Sequence, residues 1–288
     1  MPCGWQVPDQ KGESQVSAFA LVVFYNDGSR RNLSNQIGTK PRRFPSESCD
    51  LTMSARRRKA YRDSTSSEMP AVLFDLDGTL LDSNYQHVNA WSEALLEEGI
   101  VIPRWKIHRR VGMSGKSMLQ ELLRELPRRH SIELDKLERK HDSKFRKVIA
   151  DVQLLPGATQ LLKHLSQRAI RVAIATTGGR QQTSLLLKRF KLPSGIPVLT
   201  GDQVEKAKPS PDVFALAAQT LNVPIDDCIV VGDSVWDLLA AGRKSALGVG
   251  VLSGGYGREE LERAGAFRVY SDPADLLMHI EQLGLPGK

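Results

Sequence analysis

Between Ala71 and Val251 the chain repeats one pattern: a short run of consecutive apolar residues, a polar or glycine-containing break, then a longer stretch with apolar residues every three or four positions. Short apolar runs bounded by turn formers read as strands buried on both faces, and the 3.6-residue period reads as amphipathic helix. Ala71-Val72-Leu73-Phe74 is the first such strand, and others are predicted at Arg171 to Ala175, Ile196 to Leu199, Cys228 to Val231 and Ala246 to Val251. Helices are predicted at Ala158 to Gln167, Arg180 to Phe190, Pro211 to Leu221 and Ser234 to Ser245. Strands alternating with helices of this length imply an α/β fold, a Rossmann-like parallel sheet with helices on both faces and its site at the carboxyl ends of the strands.

Two stretches depart from the pattern. From Asn84 to Ala150 the spacing is helical throughout, with Trp91, Leu95 and Leu96 and then Met118, Leu119, Leu122 and Leu123 as apolar positions. An all-helical domain is therefore expected as an insert after the first strand, and Pro156-Gly157 marks the return to the sheet. Residues 1–69 are rich in Ser, Arg, Asn and Gln and hold no sustained period, so a disordered N-terminal extension is expected there. The expected organisation is an extension over 1–69, an α/β core over 70–83 and 151–288, and a helical cap over 84–150. Met53 and Met69 stand just before the folded part, and either would suit a later start.

Composition narrows the function. The formal charge is +7 over 288 residues, but residues 1–70 alone carry 11 Lys/Arg against 7 Asp/Glu. The folded part is only mildly basic, which argues against a nucleic-acid partner. The Ala55-Arg56-Arg57-Arg58-Lys59 run reads as a solvated basic segment, with a nucleic-acid or membrane surface as the sharper alternative. Cys3, Cys49 and Cys228 have neither pairing nor metal-ligand spacing, which fits a reducing cytoplasm. The longest N-terminal apolar run, Ala18 to Tyr25, is too short for a bilayer, so no membrane association is expected. No residue pattern specifies an oligomeric state.

The polar residues at the predicted strand ends suit one chemistry. Asp75 and Asp77 follow the first strand two positions apart, and Gly78 lets the chain turn away at once. Two carboxylates so placed repel unless a cation or a shared proton intervenes. The fourth strand ends in Gly232-Asp233-Ser234-Val235-Trp236-Asp237, again carboxylates behind a glycine, now opening a helix. Oxygen-only ligands of this kind suit Mg²⁺. Thr176 and Thr177 with Gly178-Gly179 offer hydroxyls and amides for a phosphate, and Lys208 in Lys208-Pro209-Ser210-Pro211-Asp212 adds a cation ahead of a helix.

These residues resemble the four ordered motifs of the haloacid dehalogenase superfamily: DLDGTL at Asp75, the threonine at Thr176, KPSPD at Lys208 and GDSVWD around Asp233. The resemblance runs from about Pro70 to Leu283. The insert, with Asp82-Ser83, His87 and Trp91, resembles the cap of the subgroup containing phosphoglycolate phosphatase and β-phosphoglucomutase. The resemblance implies a Mg²⁺-dependent phosphatase acting on a small phosphorylated metabolite. Asp75 would be the nucleophile that forms an aspartyl-phosphate and Asp77 the general acid and base. The Asp75 carboxylate, the Asp77 carbonyl and the Asp233 carboxylate would hold Mg²⁺ with support from Asp237, and Thr176, with Thr177 as the alternative, and Lys208 would grip the phosphoryl oxygens.

In the insert, the loop from Arg109 through Ser114 to Lys116 resembles one that reaches over the substrate, against the plainer reading of a solvated basic turn. His87 is a further candidate beside it, although a lone helical histidine is more often packed or exposed. Trp91 and Met118 read as core of the insert, and Cys228 as a buried strand residue. A phosphomutase is the alternative enzyme. Against it, Gly232-Asp233 stands where the β-phosphoglucomutase pattern has an acidic pair, and Gly115 stands where that pattern has arginine. A non-catalytic binding protein would have lost one of Asp75, Asp77, Lys208 and Asp233, and all four are present.

Overall fold

A computed structural model describes residues 69–126, 132–190 and 192–287. The extension, its basic run, Cys3 and Cys49 lie outside the described residues. Six strands form one sheet, β1 (Ala71–Phe74), β4 (Val172–Ala175), β5 (Val198–Leu199), β6 (Cys228–Gly232), β7 (Leu247–Val251) and β8 (Arg268–Tyr270). Their order is β5-β4-β1-β6-β7-β8, with every neighbouring pair parallel. Strand order thus reverses at β1, and a crevice opens beyond its carboxyl end and that of β4, at the carboxyl edge where such sheets usually bind.

Strand alternation explains why both faces are covered. Val72 and Phe74 of β1 join Val172, Ile174, Ile229 and Val231 on one face, under α5 (Ala158–Gln167) and α10 (Pro273–Met278). Ala71 and Leu73 join Ala173, Ala175, Cys228 and Val230 on the other, under α7 (Asp212–Thr220) and α8 (Val235–Gly242). Neither face tolerates a polar residue, so each strand is an unbroken apolar run and the reactive groups stand at its end.

The remaining strands, β2 (Leu81–Asp82) and β3 (Gln153–Leu154), form a small antiparallel pair that carries the chain out of the sheet and back. Between them lie α1 (Asn84–Leu96), α2 (Arg104–His108), α3 (Gly115–Arg124) and α4 (Leu134–Val148). These helices share their own apolar cluster, including Val88, Trp91, Leu95, Ile107, Met118, Leu119 and Leu137. Insert and sheet belong to one compact unit.

Several boundaries differ from the pattern-based expectation. The insert is not helical throughout: Gly99, with φ of 72°, ends the turn after α1, and Gly112, with φ of 101°, shapes the loop before α3. The helix expected over Arg180 to Phe190 is α6 (Arg180–Leu187), and that expected over Ser234 to Ser245 ends at Gly242. β2, β3, β8, α9 (Arg258–Arg263) and α10 were not expected, being too short or too polar to show a period.

Candidate active site

Asp75 lies just past the end of β1, where its amide donates to Val231 O at 2.9 Å. Gly78, with φ of 76°, then turns the chain back so that its amide reaches Leu81 O at 2.7 Å. A side chain there would strike the Asp233 carboxylate, so the turn also needs glycine for space. On the adjacent β6, Gly232 precedes Asp233, and Ser234 caps α8 with Asp237 in a reciprocal box. Asp237 Oδ2 accepts from Ser234 Oγ at 2.6 Å and from its amide at 3.1 Å, which fixes the carboxylate in a buried pose.

Lys208 is fully buried and reaches across from the segment before α7. Its Nζ pairs with Asp75 Oδ1 and lies 2.9 Å from Asp237 Oδ1. Asp233 Oδ1 accepts from Thr79 Oγ1 at 3.0 Å, and Asp233 Oδ2 accepts from Asn84 Nδ2 at 2.9 Å. Asn84 is the first residue of α1, so the insert itself supplies a group to the floor of the site.

Oxygens of Asp75, Asp233 and Asp237 lie within 4.8 Å of one another, and all three residues are buried. Lys208 pairs with two of the three carboxylates, which leaves an excess of negative charge in a desolvated place. Burial, together with the nearby Asp237 and Asp233 and against the pull of Lys208, raises the Asp75 carboxyl well above its ordinary range. Burial and the neighbouring Asp237 push Asp233 up to about 7. Burial would depress the Lys208 ammonium, but Asp237 and Asp75 outweigh it and hold it above the usual lysine range. A second cation would relieve this excess; the buried Asn84 Oδ1 has no hydrogen-bond partner among the described residues. The donor set is all oxygen, as a hard divalent ion such as Mg²⁺ requires.

Asp77 occupies a different setting. Its Oδ1 accepts from Ser83 Oγ at 2.5 Å and lies 3.3 Å from His87 Nε2. Burial alone would raise its carboxyl, and the charge and hydrogen bond of His87 with the Ser83 hydroxyl reverse that and hold it below the ordinary range. His87 Nδ1 is in turn 3.1 Å from His141 Nε2, and His141 Nδ1 is 3.1 Å from Asp142 Oδ1. His87 stacks on Phe145 and His141 on Trp91, so α1 and α4 hold the pair from both sides.

Asp75, Asp77, His87, Thr176, Ser114 and Lys116 are brought together around one cavity of about 610 Å³, closed on one side by the loop before α3. Thr176 is buried with its Oγ1 accepting from the Gly178 amide at 3.0 Å. Several expected residues, Thr177, Ser114 and Lys116 at the cavity among them, also have partners within the protein. Thr177 donates to Gly112 O at 3.2 Å, joining core to insert. The amide of Arg180 is taken by Asp202 Oδ2 at 2.7 Å, so the start of α6 is partly satisfied within the protein. Arg109 does not line the cavity: it pairs with Glu260 and packs over the Tyr256 ring. Ser114 caps α3, and Lys116 pairs with Asp135 at 2.6 Å.

Thr79, Asn84 and His141 were missed from sequence. Thr79 stands within DLDGTL and was open to detection as a hydroxyl behind two carboxylates. His141 falls between Leu137 and Phe145 at four-residue spacing, a polar residue on a buried face. Asn84 carries no local signal, because its partner is 149 residues away.

Comparison with known proteins agrees with this geometry. Residues 69–243 match the family described as haloacid dehalogenase-like hydrolase. Hexitol phosphatase A of Escherichia coli is 33% identical over 182 residues, covering 59% of this chain and 78% of that protein. Phosphoglycolate phosphatase of Rhodospirillum rubrum is 29% identical over 214 residues, covering 72% and 88%. The crystal structure of a hydrolase from Pseudomonas syringae superposes with a TM-score of 0.71 at 46% identity, covering 75% of this chain and 99% of that one. The chain belongs to the haloacid dehalogenase-like hydrolases, in the subgroup that includes phosphoglycolate phosphatase and β-phosphoglucomutase.

Proposed function

We propose that the protein is a Mg²⁺-dependent phosphatase that hydrolyses a small phosphorylated metabolite through a phosphoryl group carried on Asp75. The observation that carries this reading is the pairing of Asp75 with the buried Lys208 at the head of a cavity that also holds Asp77. A carboxylate can approach a phosphate dianion only where cations offset their repulsion. Lys208 supplies one such charge. Mg²⁺, held by the Asp75 and Asp233 carboxylates and the Asp77 carbonyl with Asp237 in support, would supply the other when bound.

In the first step an Asp75 carboxylate oxygen bonds to phosphorus as the ester P–O bond breaks; Asp77, a carboxylate at rest, takes up a proton as the anionic ester binds beside it and passes that proton to the departing oxygen. In the second step the Asp77 carboxylate takes a proton from water, whose oxygen displaces Asp75 and releases inorganic phosphate. Ser83 and His87 orient Asp77 for both steps, and Thr176 steadies the phosphoryl oxygens. Relatives named for their action on hexitol phosphates and phosphoglycolate support a phosphate monoester as substrate. A mutase would hand the phosphoryl group to a sugar hydroxyl. Glu138 and Trp91 fill the space in front of Gly115, where the mutase pattern carries arginine, so hydrolysis is favoured.

The catalytic unit is taken to be the core over 70–83 and 151–288 with the cap over 84–150, in the cytoplasm. Among the described residues no helix is long and apolar enough to cross a membrane. The test is a phosphate-release screen over sugar phosphates, phosphoglycolate, nucleoside monophosphates and pyrophosphate. At least one monoester is turned over, EDTA abolishes the activity and Mg²⁺ restores it. Full activity in metal-free buffer, or no release from any ester, contradicts the reading.

A further inference from the structure

One wall of the cavity is built by a helix stripe of the insert. Glu138, Asp142 and Arg146 recur every four residues along α4, so they share a face, and all three line the cavity. Two of the cations that line the same cavity are already committed to carboxylates. Arg110 pairs with Glu121 at 3.1 Å and with Glu125, and its Nη1 donates to Lys106 O at 3.1 Å. Lys116 is 2.6 Å from Asp135 and 4.0 Å from Glu138, so two carboxylates face one ammonium.

Gly115 sharpens the point. A Cβ placed there would meet Glu138 Oε1 at 2.8 Å and the Trp91 ring at 2.9 Å. A side chain there would have to displace the Glu138 carboxylate and the Trp91 ring edge, which occupy the place. Half-burial raises the Glu138 carboxyl, with Asp135 and Asp142 adding to the rise and Lys116 opposing it. Arg146 alone on this stripe has a neutral partner, Gln181 Oε1 at 2.7 Å, and that contact bridges to α6 at the edge of a second, shallower groove. At that edge its charge suits steering an anionic ester inward.

Resting on the phosphatase reading, we propose that Glu138 is a specificity-determining residue: its carboxylate accepts hydrogen bonds from hydroxyls at the end of the substrate remote from the phosphate and disfavours a second anionic group there. The substrate class is then a polyhydroxylated monophosphate, a sugar or polyol ester with one phosphate. A second phosphate placed against Glu138 and Asp142 would be desolvated beside like charge.

The experiment compares kcat/KM for sorbitol 6-phosphate, glucose 6-phosphate and fructose 1,6-bisphosphate with the full chain and Mg²⁺, as wild type, Glu138→Gln and Glu138→Lys. The wild type favours a monophosphate over the bisphosphate. Glu138→Gln narrows that preference by about tenfold, the size of one lost like-charge contact with its hydroxyl bonds, and Glu138→Lys narrows it further or inverts it. A wild type that prefers the bisphosphate overturns the proposal without any variant. So does an unchanged ratio in a folded Glu138→Gln or Glu138→Lys while the esters are still hydrolysed. Failure to hydrolyse any ester overturns the phosphatase reading itself, and this proposal with it.

Discussion

Asn84 Nδ2 donates to Asp233 Oδ2 at 2.9 Å and lies 3.2 Å from Gly254 O, so the first residue of the insert is tied to a candidate metal ligand of the core. Burial and Asp237 hold Asp233 at about 7, and the Asn84 and Thr79 bonds work against that rise. A carboxylate must lose its proton to take a cation, and Asp75 is raised as well, so Mg²⁺ affinity should climb as pH rises from 6 to 8. Asn84→Ala should weaken Mg²⁺ binding about tenfold and displace the climb to higher pH. Calorimetric Mg²⁺ titrations at pH 6, 7 and 8 check this, and equal wild-type affinity at pH 6 and 8 would contradict it.

Lys208→Met removes the ammonium that stands between Asp75 and Asp237. Two buried carboxylates are left without their cation, and loss of one partner from a buried pair costs about 3–5 kcal/mol. Urea unfolding in EDTA should show that loss, and saturating Mg²⁺ should recover part of it by supplying charge to the same oxygens. A variant as stable as wild type in EDTA would mean that the carboxylates are protonated or solvated instead.

His141 gives a stability signature that does not depend on turnover. Burial pushes it down to about 4, with the charge of His87 adding to the fall and Asp142 opposing it. The unfolded chain takes up this proton below about 6.5 while the folded chain refuses it until about 4, so stability is full above 6.5 and falls as pH drops between the two values. From pH 7 to pH 5 this one group accounts for about 2 kcal/mol. His141→Phe should flatten that part of the pH dependence in denaturant titrations, and an unchanged slope would show that His141 is charged in the fold.

Pattern revealed the sheet because β1, β4, β6 and β7 are buried on both faces and admit no polar residue. It lost β5, only two residues long here, in part, and β8 entirely, since Arg268 and the edge position interrupt the apolar run. The site was legible where chemistry is concentrated in contiguous motifs, as at Asp75, Asp77 and Asp233. Lys208 was legible through its Pro-rich neighbours. Asn84 and His141 were not, because each is held by partners on another element. Arg109 looked like a substrate residue because the loop is basic, but Glu260 and Tyr256, about 150 positions away, claim it.

The division of labour between the two aspartates is the central claim. With p-nitrophenyl phosphate the leaving group departs readily without a proton, so Asp77→Asn should slow release of phosphate from Asp75 far more than its loading, by the ~10² to 10⁴ typical of general base catalysis. Asp75→Asn lacks the nucleophile and should neither turn over nor load. The decisive measurement is the intact mass of each variant, quenched with acid seconds after mixing with p-nitrophenyl phosphate and Mg²⁺. One phosphoryl adduct is expected on Asp77→Asn and none on Asp75→Asn. An unlabelled Asp77→Asn that still releases p-nitrophenol, or a labelled Asp75→Asn, would contradict it.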